Sequence, residues 1–184
     1  MKKLVWLLLL GLLAVPSVGR AAVLSPLGLD ELAASSALVL RGQVIASRTD
    51  RDASDGLIFT EHTVQVTQRL DGVGETQRTV LVRTPGGEYQ GLGQLVPGAP
   101  VLKKGQELLL FLAPVPQVAG QVFTPRGGTQ GVFRVQVEGG ATRLHRDFGA
   151  VSFVGTKAGA PRADLDLDEV LQAVRRAAAT RKAR

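Results

Sequence analysis

Any chemistry in this chain has to begin with its two histidines, His62 and His145. His62 lies in residues 58–70, where apolar and polar side chains alternate, and it takes the apolar parity between Thr60 and Val64. That placement reads either as a buried imidazole satisfied by a neighbouring hydroxyl or as a ring at the rim of a barrel. His145 takes the opposite parity to Leu144 and reads as solvated. A catalytic zinc usually draws on three protein ligands, often two or three of them histidine. Two separate histidines without a His-Glu-x-x-His pattern do not supply that set, so no metal and no cofactor are expected.

Residues 50–56, with Glu61 in the twelfth place, put oxygen-bearing side chains at the first, third, fifth and twelfth positions of a calcium loop. The sixth position, where the turn needs glycine, is Asp55, and Arg48 and Arg51 oppose a cation. A solvated loop of mixed charge is the reading taken. Gly86-Gly87 and the later Gly91 and Gly93 lack the strand-to-helix setting of a phosphate-binding loop. No serine occupies a Gly-x-Ser-x-Gly elbow, so no catalytic residue is assigned. The candidate site residues are His62, Tyr89 in the loop 88–100 and Arg126 in the loop 124–131.

The elements that would position these residues are mostly strands. Period-two alternation with β-branched residues marks 58–70 as a strand with one buried face. Asp71-Gly72-Val73-Gly74 turns the chain, residues 79–84 return, and Pro85-Gly86-Gly87 ends the pair. Residues 37–47 form an earlier strand, with Gly42 marking a bulge or sharp bend, and 49–56 form a charged loop. Before it, 29–36 reads as a brief helix with Asp30 and Glu31 in its first turn. Residues 88–100 are expected to be ordered only in part. The uninterrupted run Leu108-Leu109-Leu110-Phe111-Leu112 predicts a central strand covered on both faces. Further strands are expected at 121–124, 132–137 and 142–148. A helix over 166–180 has Asp166 and Glu169 spaced for a capping box and Leu167, Val170, Leu171 and Val174 on one stripe.

Residues 1–21 read as a secretory leader: Lys2 and Lys3, an apolar run, Pro16, then Gly19-Arg20-Ala21 as the cleavage site. The expected organisation is a leader at 1–21, a β-barrel domain at 22–153, a linker at 154–165, and a helix with a basic tail at 166–184. The chain has 184 residues, no cysteine and a formal charge of +6. Without the leader's three cations the charge is +3, and five more cations (Arg175, Arg176, Arg181, Lys182, Arg184) lie in the last eleven residues. The body therefore needs no basic face, and one tyrosine with no tryptophan beyond the leader offers little for base stacking. Nucleic acid is not an expected partner. Membrane contact is limited to the leader and to the basic tail.

Three segments together resemble the netrin-like barrel, the fold shared with tissue inhibitors of metalloproteinases. They are Ala37-Leu38-Val39-Leu40-Arg41-Gly42-Gln43-Val44, Val64-Gln65-Val66 leading into Leu70-Asp71-Gly72, and Gly105-Gln106-Glu107-Leu108-Leu109-Leu110-Phe111. The resemblance covers residues 37–113 and implies a five-stranded barrel of the oligonucleotide/oligosaccharide-binding (OB) topology. It carries no functional residue across. The inhibitory relatives reach zinc with an N-terminal cysteine, which is lacking here, and position 108 is Leu where the family often has Tyr.

The fold expected is thus mainly β, a small closed OB-like barrel of five to seven strands with a C-terminal amphipathic helix. The function expected is that of an exported, non-enzymatic protein that binds a protein or cell-envelope partner through 88–100 and 124–131. The alternatives are a small exported hydrolase or protease-associated factor, with His62 and nearby acids at a barrel mouth, or an inhibitor of an exported protease acting by a surface loop.

Overall fold

A computed structural model describes residues 22–72, 78–116, 118, 121–149, 151–155 and 161–183. The leader and its cleavage site, half of the 71–74 turn and part of the 154–165 linker lie outside the described residues.

The elements in chain order are β1 (Ala22–Leu24), α1 (Leu29–Ser35), β2 (Leu38–Arg51), β3 (Ile58–Gly72), β4 (Thr79–Pro85), β5 (Gly87–Tyr89), β6 (Leu92–Gln94), β7 (Glu107–Pro114) and β8 (Val122–Pro125). A 3-10 turn, Gly128–Gly131, leads to β9 (Val132–Glu138), β10 (Ala141–His145), β11 (Val151–Phe153), β12 (Asp164–Asp166) and α2 (Leu167–Lys182).

Five strands close a ring in the order β7, β2, β3, β4, β8 and back to β7. Every junction is antiparallel except β4 with β8. The ring closes because β7 divides its second edge. Leu108 to Leu110 pair with β9, whereas Leu112 to Pro114 pair with β8. β9, β10 and β12 continue outward as an extra sheet. The molecule is therefore a mainly β, closed, OB-like five-stranded barrel with additional strands and a C-terminal helix.

Alternation along β7 builds two cores from one strand. Leu108, Leu110 and Leu112 join Leu38, Leu40, Val44, Val64, Val80 and Val82 inside the barrel. Leu109 and Phe111 face the other way, toward Phe133 of β9 and Leu32 and Val170 of the two helices. This is the strand covered on both faces that its continuous apolar run predicts. Leu102, from the connection between β6 and β7, joins the barrel core as a stopper.

β2 reaches its length by bending. Its pairing with β3 shifts register between Val39 and Leu40, Arg41 and Gly42, and Val44 and Ala46. Gly42 marks one of these bulges because a Cβ there would stand 2.5 Å from the Gln65 carbonyl oxygen. With this curvature β2 stays paired to Arg51, so the charged loop shrinks to residues 52–57.

Three other expectations need correction. The 88–100 segment carries a hairpin, β5 with β6, turned at Gln90 and Gly91. The strand expected at 142–148 ends at His145, β11 lies just before the 154–165 linker, and the first two residues of β12 lie within it. The capping box does not form. Asp166 is the N-cap residue of α2, but its carboxylate accepts from Arg143 and that of Glu169 accepts from Arg162. A guanidinium is a stronger partner for a carboxylate than a neutral backbone N–H. The buried stripe of α2 is Val170, Ala173, Val174 and Ala177, with Leu171 at its margin.

The helix packs on the barrel. Arg176 donates to Asp30 of α1 at 2.7 Å. Arg181 pairs with Asp71 of β3 and donates to the Ala33 and Ser36 carbonyls, which close the end of α1.

Candidate functional site

The barrel interior changes character toward the end where β2 passes into β3. Along β3 the inward positions run Val64, His62, Thr60, and along β4 they run Val80, Val82, Thr84. The apolar core therefore gives way to an imidazole and hydroxyls. His62 is 3% exposed. Its Nδ1 lies 2.8 Å from Ser47 Oγ and its Nε2 3.1 Å from Thr84 Oγ1. Beside it Thr60 Oγ1 donates to the Gly86 carbonyl at 2.8 Å and lies 3.1 Å from Thr49 Oγ1.

Burial pushes the His62 pKa down to about 4, because the imidazolium is poorly solvated there. The ring is thus neutral at neutral pH, donating through one nitrogen and accepting through the other. A hydroxyl suits either role, so Ser47 and Thr84 satisfy both tautomers. Both readings of His62 meet here: it is buried and satisfied by hydroxyls, and it lines a cavity of about 180 Å³ at the barrel end. The far wall of that cavity is Leu95 to Val96 and Ala99 to Leu102.

A Ser–His contact resembles the start of a nucleophile–base relay, but its third part differs. The second nitrogen meets a threonine hydroxyl, where a relay places a carboxylate that stabilises the imidazolium. The neighbouring acid, Glu61, points to the other face of β3 and is held by Arg83 at 2.8 Å. An imidazole with a pKa near 4 is also a weak base at neutral pH. The arrangement suits a polar floor better than an acyl-transfer engine.

The other candidates lie apart. Tyr89, on β5, accepts a long contact from its neighbour Gln90. Arg126 donates to Ser35 Oγ at 3.1 Å, bracing α1. The 124–131 segment is largely built into the fold: Gln130 accepts from the Leu27 N–H and donates to the Ser25 carbonyl, tying down the N-terminal arm. His145 is half-buried, with Nδ1 at 2.6 Å from Asp164. In the 50–56 loop each acid already has a local task. Asp50 accepts from Arg48, Asp52 from Ser54 and Asp55 from the Leu57 N–H.

Two features escape the sequence pattern. Ser47 reaches His62 only because the bulge at Ile45 changes the parity of β2 after Val44, so alternation counted along the strand assigns Ser47 to the wrong face. Thr84, by contrast, shares the parity of Val80 and Val82 and could have been found by counting from them. The second feature is Arg146, 3% exposed. It donates to the Arg162 and Gln130 carbonyls, and its guanidinium lies 4.8 Å from the Phe133 ring centre and 5.1 Å from that of Phe148. Burial, with Arg162 nearby, lowers its pKa to about 10, so it stays charged at neutral pH.

No protein-family model matches the sequence, and no curated protein matches it at a significant level.

Proposed function

We propose that this chain is an exported, non-enzymatic barrel that binds a protein or cell-envelope partner with the segment covering the His62 end. The observation that carries this reading is the exposure of Leu92, Leu95 and Val101, which are 59, 88 and 74% exposed on one stretch of chain. Burying a single leucine is worth ~1.5–3 kcal/mol, so leaving three large apolar side chains in water is a substantial unused driving force. Exposed apolar side chains that gather into one patch mark interaction sites, and these three lie within ten residues of one another. The segment carrying them is pinned from below by Leu102, so it is presented as a fixed surface.

A netrin-like identity belongs to the same proposal. The mixed five-stranded ring, the bent first barrel strand and the C-terminal helix support it. Export is proposed on the leader pattern of residues 1–21. Of the five tail cations, Arg176 and Arg181 are already paired within the molecule, which leaves the tail less charge for an anionic membrane.

The test is a photo-crosslinker placed at position 95 or 101, with position 137 on β9 as control. One adduct of defined stoichiometry at 95 and 101, with the adduct from position 101 lost in Leu95→Asp without a change in melting temperature, supports the reading. Equal labelling at all three positions refutes it. The Ser47–His62 contact favours a second reading, a small exported hydrolase. That reading requires turnover of a peptide, ester or glycan substrate that disappears in both Ser47→Ala and His62→Gln while the fold is kept.

A further inference from the structure

A second cavity, of about 380 Å³, lies beyond the wall formed by Ala99 to Leu102, within the size range of small-molecule sites. Its lining combines apolar side chains, Val101, Leu102, Val132 and Val151, with the polar Lys103, Arg134, His145 and Asp147.

The polar groups are only partly engaged. Arg134 gives one guanidinium nitrogen to Asp147 at 2.9 Å, and its other N–H groups have no partner among the described residues. Asp147 is further occupied by the Gly149 N–H and by Thr129, which donates to its backbone carbonyl. His145 commits Nδ1 to Asp164, leaving Nε2 without a partner among the described residues. The backbone of Lys103 is fixed by Gln106 at 2.8 Å, while its ammonium has none among those residues. Lys103 and Arg134 against the one carboxylate of Asp147 leave the lining one positive charge in excess.

We propose that this cavity binds a small monocarboxylate with a short apolar body. The carboxylate is held between the Lys103 ammonium and the unused edge of the Arg134 guanidinium, a planar donor pair that matches its geometry. The apolar body lies on Val101, Leu102, Val132 and Val151. A dianion would leave charge uncompensated, and a cation would meet Lys103 and Arg134 directly.

The test is titration of the ¹⁵N-labelled full chain with hexanoate, with hexanol and hexylammonium as matched controls. Hexanoate is expected to shift the amides of Gly98, Lys103, Thr129 and Arg134 saturably. Hexanol should bind at least about tenfold more weakly, and Lys103→Met should raise the hexanoate Kd by about tenfold, the worth of one charged hydrogen bond. Lys103 is exposed, so the variant should keep the wild-type amide spectrum elsewhere. Equal binding of hexanol or hexylammonium, an unchanged Kd in Lys103→Met, or no saturation at tens of millimolar would each overturn the proposal.

Discussion

The His62 ring is held neutral by burial, and folding therefore competes with its protonation. The unfolded chain binds this proton near the ordinary value of 6.5, the native chain only near 4. Between those values the unfolded state carries the extra proton, so stability falls as the medium acidifies. The contribution is fully present above about pH 6.5 and is lost as pH drops through the window toward 4, amounting to at most about 3 kcal/mol. In His62→Gln, which keeps a donor and an acceptor for Ser47 and Thr84, the loss of melting temperature between pH 7 and pH 4.5 should shrink. Thermal denaturation at the two pH values checks this, and an unchanged acid sensitivity would place the titrating group elsewhere. Arg146 answers the same problem of a buried cation differently. It is a guanidinium that keeps its proton, and it compensates for lost water with carbonyls and aromatic faces.

Among the elements, β2 decides the shape of the barrel, and Gly42 decides the shape of β2. A methyl group there would meet the Gln65 carbonyl at 2.5 Å and a Val64 methyl at 2.8 Å, so the strand would have to straighten or β3 move. Gly42→Ala should cost roughly 1–3 kcal/mol, as overpacking at a closed position does. Gly93→Ala, where nothing lies within 4 Å, should stay within about 0.5 kcal/mol of wild type in urea denaturation. Equal values would remove Gly42 as the cause of the bend. This strand also explains what the sequence could reveal. Gly42 announces a bulge, and five consecutive apolar residues announce β7, because glycine and unbroken hydrophobicity are local signals. The shift at Ile45 is not local, since it arises only when β2 wraps against β3, and it hides Ser47 from any count of alternation. The capping box failed for a related reason: the spacing of Asp166 and Glu169 was visible, whereas the competing Arg143 and Arg162 arrive through the fold. His62 was legible from parity, but the cavity with Lys103 and Arg134 gathers three distant segments and left no contiguous trace.

At the scale of the molecule, the two hydrophobic cores share β7, which gives one face to each. Leu110 packs among the barrel residues and Leu109 among those of the helical layer, and both are fully buried. The layer is further fastened to the barrel by Arg181 on Asp71, and α2 to α1 by Arg176 on Asp30. Barrel and helices should consequently unfold together. Leu109→Ala and Leu110→Ala are each expected to cost ~2–5 kcal/mol, a large share of the ~5–15 kcal/mol available to a domain of this size. Each should move one cooperative urea transition to lower concentration with its slope unchanged. Were the helical layer a separable unit, Leu109→Ala alone would split the curve, with far-UV signal at helical wavelengths lost before the β signal. A single transition in both variants would instead mean that barrel and helical layer hold one another folded as one cooperative unit, through the strand they share and without a disulfide.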